Sequence, residues 1–311
     1  MATTGITEGS ATTLGDSACP ACLERRFDPA ERTARVQVHR CRACGHRVAT
    51  FLGPRPSGQD FLLQDSTEAY TGTLQVTRRR QARALVATLR REAGGAVQGL
   101  LDYGCGRGWF LDVAREAGFQ LLAGADTSAT SMDSLSAMGI PGVRIEDPMH
   151  PALTVERLPF RPRVVSLLDL VEHIAPDALA GWLGELLDAL RPDLRYVLIK
   201  VPISGGVLYR AASALARAGM AAPLDQMYQV HRWAPHVNYF SVRSMRALLD
   251  RLRLPLLAIV RDPEFEASGL KERATFLQAL PPPVATAAGG AAIGLARALR
   301  MEDTAAFLCR A

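Results

Sequence analysis

Asp102, Gly104, Gly106 and Gly108 are the residues whose types and spacing most directly imply chemistry in this chain. They lie between Leu100 and Leu111, where an apolar strand stops at a glycine-rich turn and a helix begins. Glycines there permit positive φ and let backbone N–H groups approach an anionic or polar ligand at the helix N-terminus. Their spacing differs from the dinucleotide pattern G-x-G-x-x-G. A second set is Cys19-Pro-Ala-Cys22 and Cys41-Arg-Ala-Cys44, two C-x-x-C knuckles separated by eighteen residues. Four thiolates so spaced complete a closed tetrahedral zinc site, which folds a small ribbon and leaves no position open for substrate. Disulfides or redox pairs are the competing readings, but no thioredoxin-like strand and helix surround either knuckle. His39 and His46 lie near enough in sequence to serve as alternative ligands.

Three further apolar segments each end in acids. The first, Leu121 to Asp126, is followed by Thr127, and a carboxylate about twenty residues after the glycines can accept both ribose hydroxyls of a nucleoside cofactor. The second, Gly142 to Ile145, precedes Glu146 and Asp147. The third runs from Val164 to Leu168 and continues as Asp169-Leu170-Val171-Glu172-His173. Together they resemble class I S-adenosylmethionine (SAM) dependent methyltransferases, in the small-molecule group related to ubiquinone-biosynthesis enzymes. The resemblance covers roughly residues 98–260, and the D-x-x-E-H segment is its most specific part.

That resemblance implies a cofactor-binding set of Asp102, Tyr103, Gly104, Cys105, Gly106, Gly108, Asp126, Thr127, Asp147, Asp169 and Leu170. Asp102 is expected near the methionine end of SAM, Asp126 at the ribose, and Asp147 in preference to Glu146 at the adenine. Methyl transfer is an in-line displacement at a sulfonium, so alignment does much of the work and a base is added when the nucleophile must lose a proton. His173 and His236 are the expected bases, the latter in Pro235-His-Val-Asn-Tyr-Phe-Ser241, with Glu172 orienting a histidine or binding substrate. Tyr209, Tyr228 and His231 are further pocket residues. Cys105 and Cys309 are expected to pack.

No Asn/Asp-Pro-Pro-Tyr segment follows the fourth strand, as amino-group methylation of bases usually requires, and this favours a small metabolite. The zinc module before such a core resembles enzymes of sugar, polysaccharide and secondary-metabolite biosynthesis, so O- or C-methylation of a sugar-like acceptor is expected. The rival is an RNA methyltransferase that grips phosphates with its ribbon and the arginines from Arg78 to Arg91. A non-catalytic zinc-binding scaffold is a third reading, disfavoured by the intact glycines, Asp102 and Asp126.

The elements that must position these groups follow from the apolar periods. The chain has 311 residues, 48% hydrophobic and 22% charged, enough for one domain of about 200 residues and a smaller unit. Strand and helix alternate after residue 98, which predicts a doubly wound, Rossmann-like, mostly parallel seven-stranded α/β sheet with a small N-terminal zinc ribbon. The expected divisions are a disordered tail over 1–17, the ribbon over 18–56, a helical connector over 57–97 and the methyltransferase domain over 98–311. Insertions at about 204–229 and 265–301 are expected to form lids. Helices are expected from Trp109 to Ala117, Ala178 to Leu190 and Val242 to Leu252. The late strands are expected at Tyr196 to Val201, Leu256 to Val260 and Thr304 to Arg310.

The formal net charge of +5 invites a nucleic-acid partner, but Lys200 and Lys271 are the only lysines among 36 basic residues, as genomic base bias would produce. Leu85, Val86 and Leu89 recur at helical spacing, so the arginines beside them are expected on a solvated face. There is no signal-like start and no apolar run of about eighteen residues, which predicts a cytoplasmic protein without a membrane partner. The Ala/Gly-rich helix near Ala285 to Leu299 is expected to pack internally or against a second copy.

Overall fold

The computed structural model describes residues 18–53, 68–94, 98–262 and 282–311. The expected tail over 1–17, and residues 265–281 of the expected second insertion, lie outside the described residues.

A seven-stranded sheet organises the molecule, with strands β4 (Leu100–Tyr103), β5 (Leu122–Asp126), β6 (Gly142–Arg144), β7 (Val164–Leu168), β8 (Tyr196–Pro202), β10 (Leu256–Asp262) and β11 (Thr304–Arg310). Their spatial order is β10-β11-β8-β7-β4-β5-β6. The strands from β6 to β8 pair in parallel, while β11 pairs antiparallel with both β8 and β10. The expected α/β sheet is therefore present. β4 and β7 are fully or almost fully buried apolar runs, as strands covered on both faces must be. The order reverses between β4 and β7, and open α/β sheets bind ligands at such a switch point, beyond the carboxyl ends of the strands.

Helices cover both faces. On one lie α1 (Glu68–Glu92), α2 (Trp109–Glu116) and α3 (Ala129–Ala137), where Leu85, Val86 and Leu89 of α1 join Phe110, Leu111 and Leu135 in one apolar cluster. On the other, α5 (Leu179–Leu190) and α8 (Val242–Arg251) enclose Leu186, Leu190, Met245 and Leu248 against the sheet. The remaining helices are the short α4 (Pro151–Val155), α6 (Val207–Arg217), α7 (Ala222–Met227) and α9 (Pro282–Ala298). No described helix is long and apolar enough to cross a membrane.

The arginines of α1 depart from the expected solvated face. Arg78 pairs with Asp169 at 3.1 Å, Arg79 with Asp112 and Glu116, and Arg80 with Asp262. Each guanidinium reaches from the connector to an acid of the catalytic sheet or its first helix. Arg83, Arg90 and Arg91 stay exposed, and Arg90 donates to the Ala117 carbonyl. Half of the basic cluster is thus committed to holding α1 in place.

The N-terminal sheet has four strands in the order β1-β2-β3-β9, comprising β1 (Phe27–Arg32), β2 (Val36–Cys41), β3 (Arg47–Phe51) and β9 (Asn238–Tyr239). Its fourth strand comes from the segment that carries His236. Arg47 pairs with Tyr239 and Val48 with Asn238, while Phe240 bridges to Ile203 beyond β8. Side chains reinforce the seam. The His46 ring contacts the Asn238 Oδ1 at 3.1 Å, and Asn238 Nδ2 donates to the Ile174 carbonyl at 2.6 Å. On the other side, Ser213 Oγ donates to buried Glu31 at 2.7 Å and Thr33 Oγ1 to Asp225 at 2.7 Å, which fastens this sheet to α6 and α7.

Candidate active site and cysteine cluster

The glycine turn takes the conformation that its composition requires. Gly104, Gly106 and Gly108 have φ of 78°, 52° and 73°. A Cβ on Gly108 would lie 2.5 Å from Met138 Cε and 2.9 Å from Leu135 Cδ2, so this glycine lets α2 pack on α3 and does not face the cavity. Gly106 instead opens onto empty space, with nothing within 4 Å of its would-be Cβ. The Gly106 N–H donates to Asp126 Oδ2 at 2.8 Å and the Ser128 N–H to Oδ1 at 2.9 Å, which holds the carboxylate at the end of β5. An ionised carboxylate has about four lone-pair sites, so two amide bonds leave acceptor capacity for paired hydroxyls.

Asp102 is almost wholly buried at the end of β4 and accepts from Ser166 Oγ at 2.6 Å. Burial pushes its carboxyl up to about 7, against the lowering effect of that hydrogen bond. Asp169 sits past β7 at φ 55°. Lys200 Nζ lies 2.7 and 2.8 Å from its two carboxylate oxygens, and Arg78 adds a third contact. These cations fix the backbone bend that carries Leu170 under the glycine turn, where its side chain stands 3.1 Å from the place a Gly104 Cβ would occupy.

The turn Val171–His173 follows directly. Glu172 is fully buried, neither carboxylate oxygen has a hydrogen-bond partner, and burial together with the Asp169 charge pushes the group well above the usual carboxylate range. His173 Nδ1 lies 3.1 Å from the Pro235 carbonyl, and His236 Nδ1 lies 2.9 Å from the Met227 carbonyl. A carbonyl only accepts, so each Nδ1 carries the proton. The two rings lie 4.9 Å apart, centroid to centroid. Burial lowers the His173 pKa and keeps the ring neutral.

These groups share one cavity of about 1080 Å³ at the carboxyl ends of the parallel strands. Asp102, Tyr103, Gly104, Cys105, Gly106, Asp126, Thr127, Asp169, Leu170, Glu172, His173 and His236 all line it. Of the expected cofactor residues, Gly108 and Asp147 do not. Asp147 spends its carboxylate on the Met149 N–H at 2.9 Å, and Ile145 and Met149 face the cavity in its place. Leu208 of α6 and Asp225, Gln226 and Met227 of α7 close the opposite wall, where a helical lid was expected. Tyr209 and Tyr228 point elsewhere. They bond each other at 2.7 Å inside a separate apolar cluster with Val36 and Val38. His231 does line the cavity, beside Arg35 of the β1–β2 turn. Cys105 is buried and its thiol is pushed well up, while burial pushes the Cys309 thiol up to about 12, so both behave as packing groups.

Arg35, Arg78 and Lys200 escaped the sequence reading. Lys200 alone left a signal, as a lone lysine at the end of an apolar strand. The other two reach the cavity through the orientation of elements distant in sequence.

The four N-terminal cysteines converge as their spacing predicts. Sγ of Cys19 lies 3.6 Å from that of Cys44, and Sγ of Cys22 lies 3.5 Å from that of Cys41. All four sulfurs fall within 4.8 Å of one another. A disulfide needs about 2.05 Å, whereas thiolates about 2.3 Å from a tetrahedral ion stand about 3.8 Å apart. The cluster fits the second geometry. His46 faces Asn238 and Phe240 and stays outside the set, as does His39.

A parallel α/β sheet whose switch point carries a glycine turn, with Asp126 ending β5 and Asp169 directly after β7, defines a nucleoside-cofactor enzyme of the methyltransferase type. A family model described as a methyltransferase domain matches residues 74–256, more than half of the chain; the protein belongs to this family and is a SAM-dependent methyltransferase. No curated protein matches the sequence. Among solved structures the chain is similar to a SAM-dependent methyltransferase from Archaeoglobus fulgidus (18% identity, 74% of this chain and 94% of that one, TM-score 0.41). It is also similar to 1,6-didemethyltoxoflavin-N1-methyltransferase from Burkholderia thailandensis (15% identity, 91% and 98%, TM-score 0.46). Magnesium protoporphyrin IX methyltransferase from Synechocystis PCC 6803 is a third (11% identity, 82% and 90%, TM-score 0.45).

Proposed function

We propose that the protein moves the methyl group of SAM to an oxygen or carbon of a small polar acceptor, of the kind found in sugar, polysaccharide or secondary-metabolite biosynthesis. The observation that carries this reading is one cavity lined together by the glycine turn, Asp126, Glu172, His173 and His236 and by residues of α6 and α7.

In this reading Asp126 accepts the ribose hydroxyls and the Gly104 to Gly106 backbone passes beneath the methionine part of SAM. Asp102 faces the cofactor ammonium, which favours the ionised carboxylate over the proton it otherwise retains. Ile145 and Met149 flank the adenine. Leu170 presses the turn from below. The sulfonium then points to the histidine end, where the acceptor is held in line. The Nε2 lone pairs of His173 and His236 can take an acceptor proton there. The cysteine cluster binds one zinc ion through Cys19, Cys22, Cys41 and Cys44; when bound, the ion supplies cross-linking of the knuckles and no chemistry at the methyl group.

Three observations support a small acceptor. The cavity is walled by helices, and Arg78, Arg79 and Arg80 are occupied by acids of this chain and leave a weak phosphate-binding face. Arg35 and His231 also stand at the cavity wall, where they suit an acidic or hydroxyl-rich acceptor. The test is to incubate the protein with methyl-labelled SAM and a native cell extract, then divide the label among RNA, protein and low-molecular-weight or glycan fractions. Label in the small-molecule or glycan fraction is expected. RNase-sensitive label would overturn the acceptor class.

A further inference from the structure

Glu172 presents a problem that methyl transfer alone does not solve. A fully buried carboxyl group with no hydrogen-bond partner on either oxygen is costly even when neutral, and a coordinated metal would satisfy both oxygens. Lys200 and Arg78 both bond Asp169, and neither donates to Glu172. The nearest ligating groups are histidines. One ligand atom each from Glu172, His173 and His236 lie within 4.8 Å of one another.

We propose that Glu172, His173 and His236 form a second metal site, for a divalent first-row transition cation, at the acceptor end of the cavity. Two imidazoles and one carboxylate on one side of an ion suit manganese, iron, cobalt or zinc and leave other coordination positions open. The histidines are already oriented for it. Metal-ligating imidazoles hold their second nitrogen by donating to a carbonyl or carboxylate, which fixes the tautomer and the ring plane. His173 does so to the Pro235 carbonyl and His236 to the Met227 carbonyl. Ligand atoms about 2.1 Å from one ion stand about 3 Å apart when adjacent and about 4.2 Å apart when opposite. Small rotations of three side chains therefore close the set.

The site differs from the cysteine cluster in kind. Four thiolates saturate their ion, whereas this site keeps room for water or an acceptor oxygen, and faces the cavity. An ion there would hold the Nε2 lone pairs, and would take over from the histidines as the group that makes an acceptor hydroxyl acidic and positions it for methylation. The role toward an acceptor rests on the methyltransferase reading; the binding of the ion does not.

The experiment titrates Mn²⁺ into full-length protein carrying one zinc per chain, with free Mn²⁺ counted by electron paramagnetic resonance and S-adenosylhomocysteine binding measured by calorimetry on the same samples. One Mn²⁺ per chain is expected, with enhanced water-proton relaxation from exchangeable water on the ion. Glu172→Gln, nearly isosteric, and His236→Ala should each weaken Mn²⁺ binding at least tenfold while S-adenosylhomocysteine still binds. The proposal is overturned if the protein takes up no Mn²⁺, if the bound ion has no exchangeable water, or if Glu172→Gln binds Mn²⁺ as tightly as the parent. Mn²⁺ binding lost in Glu172→Gln, in a parent that fails to bind S-adenosylhomocysteine, would support the metal site and sink the cofactor reading instead.

Discussion

Asp126 and Asp102 end neighbouring strands and behave differently because one is held by two backbone N–H groups and the other is buried behind a hydroxyl. Charge-assisted hydrogen bonds contribute about 1.5–3 kcal/mol each, so Asp126→Ala should weaken S-adenosylhomocysteine binding by tens-fold or more in calorimetry. Unchanged affinity would remove Asp126 from the ribose site. Asp102 gives a pH signature. Its folded-state carboxyl is raised from 3.8 to about 7, so the folded state binds this proton more tightly than the unfolded chain. The resulting stability is fully present at low pH and is lost as pH rises through about 7. Cofactor-free protein should therefore lose melting temperature between about pH 4 and pH 7 more steeply than Asp102→Asn, and the difference should level off above that window. The cofactor ammonium should shrink that difference, since it pairs with the ionised form. Parallel melting curves for the two proteins would refute this origin.

Secondary elements explain which parts of the site could be read in advance. Strands ending at Tyr103, Asp126 and Leu168 announced themselves because buried parallel strands are near-continuous apolar runs, and the polar residues that follow are ligand-facing by position. The glycines and cysteines were readable because their chemistry depends on local backbone and fixed spacing. Asp147 is not among the cavity-lining residues, and its Oδ1 accepts from the Met149 N–H, a local bond that competes with any ligand. Arg78 was misassigned to solvent because helical period tells which face is polar and not what lies opposite it. Asp169 is 91 positions from Arg78. At the α2 start, Gly108 should tolerate no side chain. Gly108→Ala puts a Cβ at φ 73° and 2.5 Å from Met138, which should cost about 1–3 kcal/mol. A lowered midpoint in urea unfolding would register it.

Taken as a molecule, the protein has two sheets that share the segment from His236 to Phe240. β9 completes the N-terminal sheet while His236, two residues before it, lines the cavity. Removing metal from the cysteine cluster should therefore act at a distance. Replacing Cys41 and Cys44 together by serine, which removes the proposed zinc without chelating the Glu172 site, is expected to loosen β1 to β3, free β9 and displace His236, whereas the glycine turn and Asp126 stay on the large sheet. Methyl transfer should fall by at least tenfold with S-adenosylhomocysteine affinity changed less than threefold. Equal loss of both would mean that the ribbon supports the whole domain, and no loss of either would mean that β9 holds its place alone.

The same shared strand sets a timetable for synthesis. Arg47 must wait for Tyr239, 192 positions later, before β3 gains its outer neighbour. At ribosomal rates of about 5–20 residues per second, that interval is on the order of 10–40 s. During it the nascent ribbon, even with its knuckles cross-linked, presents β3 as an open strand edge to every other chain nearby. The yield of such a polypeptide should therefore respond to the pace of translation as well as to the stability of the finished fold.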